Sequence, residues 1–357
     1  MWYKNTDIKL YKTIKISDLK GYVLPHAGTK YTGEIISHTL RFKPVRKIRK
    51  IYIIYYPSTD IPDVEDMYHE YYVPFMCLKS FFDVEYVGIN LKQGGPELRI
   101  IQDELVVVSV DFSHFLPFQE AIHLENKAAH SIMFRELSET YYNSIIDDII
   151  SFKYLYKYLP LSFQLQWVGR TRSNGLKGVG YLSFLIRDNP KPYVNKPNGL
   201  FITVYDKEMN PRECLGEWFT YKEWNKRWEN NFVKNVINRA KSTSRLTGGQ
   251  NKNIPIKGYT ITYLYKNRSK DFIRGFHGIK YKAFYLSDVF LENTFENGRW
   301  INNSDNQWNI ETNEFNMDET FSKLYEKSLN HNRQKRTKNK KPIYQLYNER
   351  VLHVLIS

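Results

Sequence analysis

Short runs of β-branched and aromatic residues alternate with longer amphipathic stretches in the first half of the chain. The short runs have the length of strands, and the longer stretches repeat their apolar positions with helical spacing. Strands are therefore predicted at 50–56, 84–89, 104–110 and 181–186, and helices at 31–40, 71–82 and 121–137. Strands separated by helices predict an α/β domain with a largely internal sheet flanked by helices.

A segment rich in proline and polar residues, 188–199, separates this pattern from a second one. Its three prolines are typical of a linker. Beyond it, 199–205 alternates like a strand, and 221–239 has the apolar spacing of a helix. We therefore predict two domains, an α/β domain at 1–190 and an α+β domain at 191–357.

The chain is basic: among its 357 residues, 52 Lys and Arg stand against 38 Asp and Glu, a formal net charge of +14. This balance favours a polyanionic partner, and 28 Tyr, 21 Phe and 7 Trp offer stacking surfaces for RNA bases. Candidates for phosphate contact lie in two clusters: Arg46, Lys47, Arg49 and Lys50, and then Arg333, Lys335, Arg336 and Lys338 in a basic loop at about 331–341. Solvated surface charge is the alternative interpretation, and both stay open at this point.

Cysteine content and the length of apolar runs exclude several classes of protein. Cys77 and Cys214 are the two cysteines, which excludes a disulfide framework and a zinc site built from several thiolates. No apolar run reaches the roughly 18–20 residues of a membrane-spanning helix, and the first residues lack the layout of a signal peptide. We therefore expect a cytoplasmic protein whose chemistry relies on histidines and carboxylates.

Polar residues follow three apolar runs at the point where each run ends. His26 comes shortly after the first run, Asp111 and His114 follow the valine-rich strand, and Thr59 lies in the turn after the tyrosine-rich strand. In open α/β sheets, ligands bind in the crevice outside the carboxyl ends of the strands. The pattern therefore predicts a site that contains His26, Asp111 and His114.

Four segments of this half resemble the motifs of one protein family. Residues 25–28 are Pro-His-Ala-Gly, 31–33 are Tyr-Thr-Gly, 66–70 precede a Pro-Phe pair, and 110–114 are Val-Asp-Phe-Ser-His. In this order they resemble the Memo family, whose members share a fold with class III extradiol ring-cleaving dioxygenases. Several spaced motifs in order are more specific than a single short match. The resemblance covers about residues 15–190.

The resemblance implies a metal centre and a set of candidate catalytic residues. It implies His26 and His114 as metal ligands, with Asp111 beside them. Asp111, Glu70 or His69 would complete a centre of two histidines and one carboxylate, an arrangement that suits iron.

Two positions depart from the family pattern. Thr59 stands where the family has a histidine, and Val168 stands where it has a cysteine. A hydroxyl is a poor donor to a borderline metal, and an alkyl group is none. Glu125 occupies a position where the family commonly has Asp. We therefore expect no stoichiometric transition metal and no cofactor, with a single iron or copper ion as the alternative.

The second half resembles a different family. Residues 199–205, 211–216, 274–279 and 284–289 fit, in order, the strand and turn motifs of the AMMECR domain family. Proteins of these two families also occur together and fused, alongside a radical-SAM partner. The chain is thus similar to a fusion of the two.

Cys214 is the candidate for nucleophilic chemistry in this half. It follows Arg212 closely, and a neighbouring cation lowers the pKa of a thiol. The pattern places it at a strand end or a tight turn, where it is either a reactive nucleophile or a buried structural thiol.

Three functions remain open from the sequence. The lost ligands favour a non-catalytic binding or scaffold protein with a protein partner. The alternatives are a metal-dependent oxidoreductase-like enzyme that uses His26 and His114, and a basic protein that binds RNA or the ribosome. The sequence predicts neither a substrate nor an oligomeric state.

Overall fold

The structure is a computed structural model that describes residues 1–137, 145–173, 177–188, 197–207, 209–219, 224–242, 255–266, 276–281, 284–290, 293–296, 299–302 and 345–356. These residues form two compact units, one within 1–190 and the other within 191–357.

A six-stranded mixed sheet with its helices forms the first unit. Its elements are β1 (Ile14–Ile16), β2 (Leu19–Leu24), α1 (Thr29–Leu40), β3 (Phe42–Pro44), β4 (Lys50–Tyr55), α2 (His69–Lys79), β5 (Glu85–Asn90), β6 (Glu104–Ser109), α3 (Phe118–Met133), α4 (Ile149–Tyr158), β7 (Phe163–Arg172) and β8 (Gly180–Asp188). The strand order is β5-β4-β6-β2-β8-β7. The first four strands in that order pair in parallel, and β8 pairs antiparallel with β2 and β7. The predicted α/β class is confirmed at this level.

Burial of the central strands accounts for the apolar runs in the sequence. All six residues of β6 are buried, as expected for a strand with parallel neighbours on both sides. Tyr22, Ile53 and Val107 lie on three adjacent strands and pack in one cluster with Ile36 of α1 and Val73 of α2. This cluster fixes α1 and α2 against the sheet.

The helix α2 begins earlier than the predicted 71–82, at His69. The reason is a carboxylate upstream of the helix, since Asp63 Oδ1 accepts a hydrogen bond from the backbone N–H of His69 at 2.9 Å. Satisfying a free N–H in this way stabilises a helix start. His69 and Glu70 therefore lie in the first turn of α2.

Two elements of the first unit have misleading sequence patterns. Phe152, Tyr154, Tyr156 and Tyr158 alternate with period two like a strand, yet they belong to α4, which Asp148 caps through the backbone N–H of Ser151. In β7 the register shifts between Trp167 and Gly169 and interrupts the alternation. Neither element is predicted from periodicity.

The carboxyl ends of three adjacent parallel strands meet at one edge of the sheet. His26 follows β2, Asp111 follows β6, and the segment from Ser58 to His69 follows β4. Because β4, β6 and β2 are neighbours and run parallel, these loops converge. The fold therefore brings the predicted polar residues to a common edge.

An antiparallel sheet with one described helix forms the second unit. Its elements are β9 (Gly199–Asp206), β10 (Pro211–Trp218), α5 (Lys226–Ser242), β11 (Ile256–Lys266), β12 (Phe276–Tyr281), β13 (Phe284–Phe290), β14 (Asn293–Glu296), β15 (Arg299–Asn302) and β16 (Gln345–Leu355). The six-stranded sheet has the order β10-β9-β11-β16-β12-β13, and β14 pairs with β15 separately. Val233 and Val236 of α5 pack on Ile202 and Val204 of β9.

Within this core, α5 also buries a carboxylate. Glu229 is fully buried and accepts hydrogen bonds from Trp224 Nε1 at 2.9 Å and Tyr263 Oη at 3.0 Å, and Lys226 Nζ contacts it as well. A buried carboxylate needs such partners, since an unpaired buried charge is costly. The predicted helix at 221–239 begins later than expected, at Lys226.

Several predicted segments lie outside the described residues. These are most of the linker at 188–199 and the whole of the basic loop at 331–341, with Arg333, Lys335, Arg336 and Lys338. In the part of the chain that the structure describes, no helix is long and apolar enough to cross a bilayer.

Gly21 tests how tightly β2 and β6 pair. A Cβ atom at this position would lie 1.8 Å from the backbone oxygen of Val106. We expect Gly21→Ala to lower the free energy of unfolding by about 1–3 kcal/mol or more in urea denaturation, because the two strands must separate locally. Gly28→Ala is the matched control, since its Cβ would lie 3.5 Å from the nearest backbone oxygen. Equal stability of the two variants would contradict this packing.

Candidate metal centre

His26 lies at the carboxyl edge of β2 and is almost completely buried. Its backbone N–H donates to Asp111 Oδ1 at 2.9 Å, and its ring nitrogen Nδ1 lies 3.1 Å from Ser109 Oγ. The other ring nitrogen, Nε2, lies 3.0 Å from Asp147 Oδ2 and 3.8 Å from Asp111 Oδ2. One imidazole nitrogen and two carboxylate oxygens therefore face each other.

The hydrogen bonds of Ser109 fix one ring proton of His26 on Nδ1. Ser109 Oγ donates its own proton to the backbone oxygen of Glu70, so it accepts from the Nδ1–H of His26. Nε2 then points at two carboxylates, which only accept. The space between these three atoms consequently favours a cation, which is either a proton on Nε2 or a metal ion.

Asp147 is the site residue that the sequence pattern misses. Its Oδ1 accepts a hydrogen bond from the backbone N–H of Asp111 at 3.0 Å, and its own N–H donates to the backbone oxygen of Asp111 at 3.2 Å. These two bonds hold its carboxylate over His26. In the sequence, the Asp147–Asp148 pair before α4 indicates a helix cap. The pair alone does not indicate that Asp147 lies at the carboxyl edge of the sheet.

Burial and charge act against each other in this cluster. Burial by itself lowers the pKa of His26, but the carboxylates of Asp111 and Asp147 outweigh it and raise the pKa to about 10. Burial raises the pKa of Asp111, and His26 opposes that rise. Burial also raises the pKa of Asp148 to about 7, although Ser151 donates a hydrogen bond to it. In the metal-free protein at neutral pH, His26 is therefore an imidazolium.

A second group of potential ligand atoms lies next to the first. Asp63, His69 and Glu70 place a carboxylate oxygen, an imidazole nitrogen and another carboxylate oxygen within 4.8 Å of one another. The rings of His26 and His69 are 5.3 Å apart and meet edge to face. Trp2 stacks on the ring of His69 at 4.3 Å. Of the three ligand residues in this second group, the sequence analysis names His69 and Glu70 but not Asp63.

His114 is not among the residues whose potential ligand atoms lie within 4.8 Å of one another around His26, and the pairing of His26 with His114 that the resemblance implies stays a prediction. It is half-buried, forms an isolated β-bridge with Val179, and its ring contacts Phe115. Burial raises the pKa of Asp111, and the electrostatic interaction with nearby His114 opposes this rise. Two carboxylates, rather than a second histidine, accompany His26 because Asp111 and Asp147 are hydrogen-bonded to each other's backbone.

The two substituted positions, Thr59 and Val168, contribute no metal ligand. Thr59 is exposed, and its Oγ1 donates to the backbone oxygen of Ile61 at 2.9 Å. Val168 is buried in the core of the sheet.

Glu125 has a different role from the ligand groups. Ser113 Oγ donates to its Oε1, while Arg170 Nη1 lies 3.3 Å from Oε2 and Arg172 Nη1 lies 3.7 Å from Oε1. All four residues are buried. This network anchors the loop that carries Asp111 and His114 to β7.

Cys214 is located differently from the prediction. It lies in the middle of β10 rather than at a strand end or turn, and it is exposed rather than buried. Thr203 on β9 donates a hydrogen bond to its Sγ at 3.3 Å. Arg212 is buried, whereas Cys214 is exposed. The prediction of a buried structural thiol is therefore wrong, and the interpretation of Cys214 as a nucleophile stays a prediction.

Three of the four residues in the first basic cluster make contacts within the fold. Arg46 donates to the backbone oxygens of Leu19 and Gln102, Arg49 pairs with Asp103 at 2.9 Å, and Lys50 pairs with Glu85 at 2.9 Å. Lys47 is exposed. These contacts give the cluster a structural role, and phosphate binding at Arg46, Lys47, Arg49 and Lys50 stays a prediction.

The raised pKa values of His26 and Asp148 predict a specific pH dependence of stability in the presence of a chelator. A group whose pKa is raised by folding binds its proton more tightly in the folded state, so stability falls as the pH rises through the interval between its two pKa values. For Asp148 this interval runs from about 4 to 7, and for His26 it runs from about 6.5 to 10. We expect His26→Gln to reduce the fall in Tm between pH 7 and 10, measured by thermal denaturation.

The same measurement on Asp66→Asn provides the control, because Asp66 is exposed and makes no contact with His26 or Asp148 among the described contacts. Each kcal/mol of lost stability lowers Tm by about 2–4 °C in a domain of this size. Parallel pH curves for wild type and His26→Gln would contradict the ion pairs assigned to His26.

The Glu125 network predicts a large effect of a small substitution. Glu125→Gln removes the carboxylate charge that Arg170 and Arg172 share, and breaking a buried ion pair typically costs about 3–5 kcal/mol. We expect a loss of that size in urea denaturation. The control is Glu97→Gln, since Glu97 pairs with Arg99 on the surface and such pairs contribute about 0–1 kcal/mol. A loss under 1 kcal/mol for Glu125→Gln would show that the network does not stabilise the loop.

Comparisons with known proteins assign no family to this arrangement. Neither a family model nor a curated protein matches the chain.

Proposed function

We propose that the first unit is a metal-dependent oxidoreductase-like enzyme that holds one divalent metal ion with His26, Asp111 and Asp147. The observation that carries this proposal is the convergence of three donor atoms, His26 Nε2 and one oxygen each of Asp111 and Asp147, at the carboxyl edge of the sheet. Ligand bonds of about 2.0–2.2 Å to one ion place neighbouring donor atoms about 3–3.6 Å apart. The distances of 3.0 and 3.8 Å from Nε2 are close to that range.

The surroundings of His26 fit metal ligation. Metal-ligating histidines usually donate their second ring N–H to a neighbouring acceptor, which fixes the tautomer and the ring orientation. Ser109 is that acceptor for Nδ1, and its own proton is held by the backbone oxygen of Glu70. Nε2 is thereby directed toward the two carboxylates.

The donor set favours some metals over others. Two carboxylates and one imidazole are hard and borderline donors, which suit iron(II) and manganese(II) better than copper(I). Three protein ligands leave further coordination positions for substrate or water. When bound, the ion would supply Lewis-acid or redox chemistry to a substrate at this edge. Among these classes, oxidation at iron(II) is favoured by the resemblance of residues 15–190 to the Memo family.

The proposal differs from the non-catalytic function that the sequence favours. That expectation rests on the ligands missing at Thr59 and Val168. It does not include Asp147, whose carboxylate lies beside His26 and Asp111 through contacts between distant parts of the chain. One imidazole and two carboxylates are a sufficient set for a catalytic metal, so the two departures do not decide the function.

Iron binding by the full chain tests the proposal. Protein treated with a chelator is dialysed against iron(II) without oxygen, and bound iron per chain is measured by mass spectrometry. We expect Asp147→Asn to bind one equivalent less than wild type, because it loses a ligand. Ser109→Ala is expected to bind iron about 10–100-fold more weakly, as is typical when a residue that orients a ligand is removed.

His114→Gln is the matched control for the ligand assignment. The geometry predicts wild-type iron content for this variant, whereas a centre built from His26 and His114 would lose its iron. Nitric oxide added to the iron(II) protein reports open coordination positions through its electron paramagnetic resonance signal, which Asp147→Asn should reduce. Equal iron content in wild type and Asp147→Asn would overturn the proposal in favour of a non-catalytic binding protein.

A further inference from the structure

The segment between β4 and α2 is folded around a carboxylate. Asp63 Oδ1 accepts from the backbone N–H of His69 at 2.9 Å, and Asp63 Oδ2 lies 2.7 Å from His69 Nδ1. The chain between them turns sharply, with Val64 bridged to Met67. The imidazole nitrogen of His69 is therefore held beside a carboxylate that is about one quarter exposed, with a side-chain exposure of 28%.

Glu70 brings a second carboxylate to the same nitrogen. Its side chain is 2% exposed, and its Oε1 accepts from the backbone N–H of Ser58 at 2.7 Å. Its Oε2 is buried, has no hydrogen-bond partner among the described residues, and lies 3.5 Å from His69 Nδ1. A buried carboxylate oxygen without a partner is costly, and a bound cation removes that cost.

We propose that Asp63, His69 and Glu70 form a second site for a divalent cation. One oxygen of Asp63, one oxygen of Glu70 and Nδ1 of His69 lie within 4.8 Å of one another, and the distances from Nδ1 to the two oxygens are 2.7 and 3.5 Å. The longer distance lies within the spacing of about 3–3.6 Å between neighbouring ligands around one ion, and the shorter lies slightly below it. Trp2 stacks on the His69 ring and holds its orientation. The exposed edge of Asp63 gives the ion a route from solvent.

The second site adjoins the first without sharing a ligand. The rings of His26 and His69 are 5.3 Å apart, and Ser109 connects the groups by accepting from His26 and donating to the backbone of Glu70. Two neighbouring cations can bind opposite ends of one reacting group, as in two-metal enzymes. Because the ligand sets are separate, the second site stands whether or not the first binds a metal.

Stoichiometry of manganese(II) binding to the full chain tests the proposal. Manganese(II) suits carboxylate-rich sites, and its free aqueous form has a distinct electron paramagnetic resonance signal, so bound metal is obtained by difference. We expect two equivalents for wild type and one for Glu70→Gln. Glu70→Gln keeps the acceptor for Ser58 and removes the charge. Asp66→Asn is the matched control in the same segment, because Asp66 is exposed and has a φ of 61° that Asn tolerates. It should retain two equivalents.

The Asp147→Asn variant separates this inference from the proposed function. With both sites intact, Asp147→Asn and Glu70→Gln each lose one equivalent, and the double variant loses both. One equivalent in wild type and none in Asp147→Asn would overturn the second site and leave the first. Two equivalents in Glu70→Gln would also overturn it. Circular dichroism verifies that each variant folds. If Glu70→Gln does not fold, Asp63→Asn replaces it, because Asp63 is more exposed. Two equivalents of manganese(II) in Asp63→Asn would also overturn the second site.

Discussion

Parallel pairing of β4, β6 and β2 is the constraint on which the candidate site depends. Parallel neighbours end at the same edge of a sheet, so the loops after these strands must meet there. Each loop carries chemistry-bearing residues: His26 after β2, Asp111 after β6, and the pair His69 and Glu70 after β4. A shift of one strand in this order would separate the two ligand groups.

The electrostatic balance at this edge explains why the residues stay together. Asp111 is buried, and a buried carboxylate is costly unless a positive charge is close; Asp147, which is exposed, adds a second negative charge beside it. His26 supplies that charge when it carries both protons, and in the proposed metal-bound state the ion would supply it after Nε2 loses its proton. A proton and the proposed metal would thus compete for one place. Glu125 follows the same principle with a different outcome, because Arg170 and Arg172 already neutralise it and leave it with a structural role.

The two ligand groups illustrate two ways in which the backbone supports a site. Asp147 and Asp111 hold each other through backbone N–H groups, and Ser58 and Ser109 connect Glu70 to the adjacent loops. Side chains positioned by backbone hydrogen bonds lose less freedom when they bind a ligand, so the site is organised before an ion arrives. Thr59 and Val168 do not belong to this support.

The sequence by itself determined the α/β class of the first unit and two of the three residues of the proposed first site. Apolar runs predicted β4, β6 and β8, because burial on both faces requires such runs, and a shorter run predicted the edge strand β5, of which one residue is buried. His26 and Asp111 were found because each follows a buried strand. Asp147 was not found, because its role arises from contacts with residues far away in the chain. Asp63 was not found, because its hydrogen bond to the start of α2 looks like an ordinary helix cap in the sequence. The convergence of Asp147 with His26 and Asp111 was decided by tertiary structure, because loop conformation, rather than spacing, determines which side chains meet.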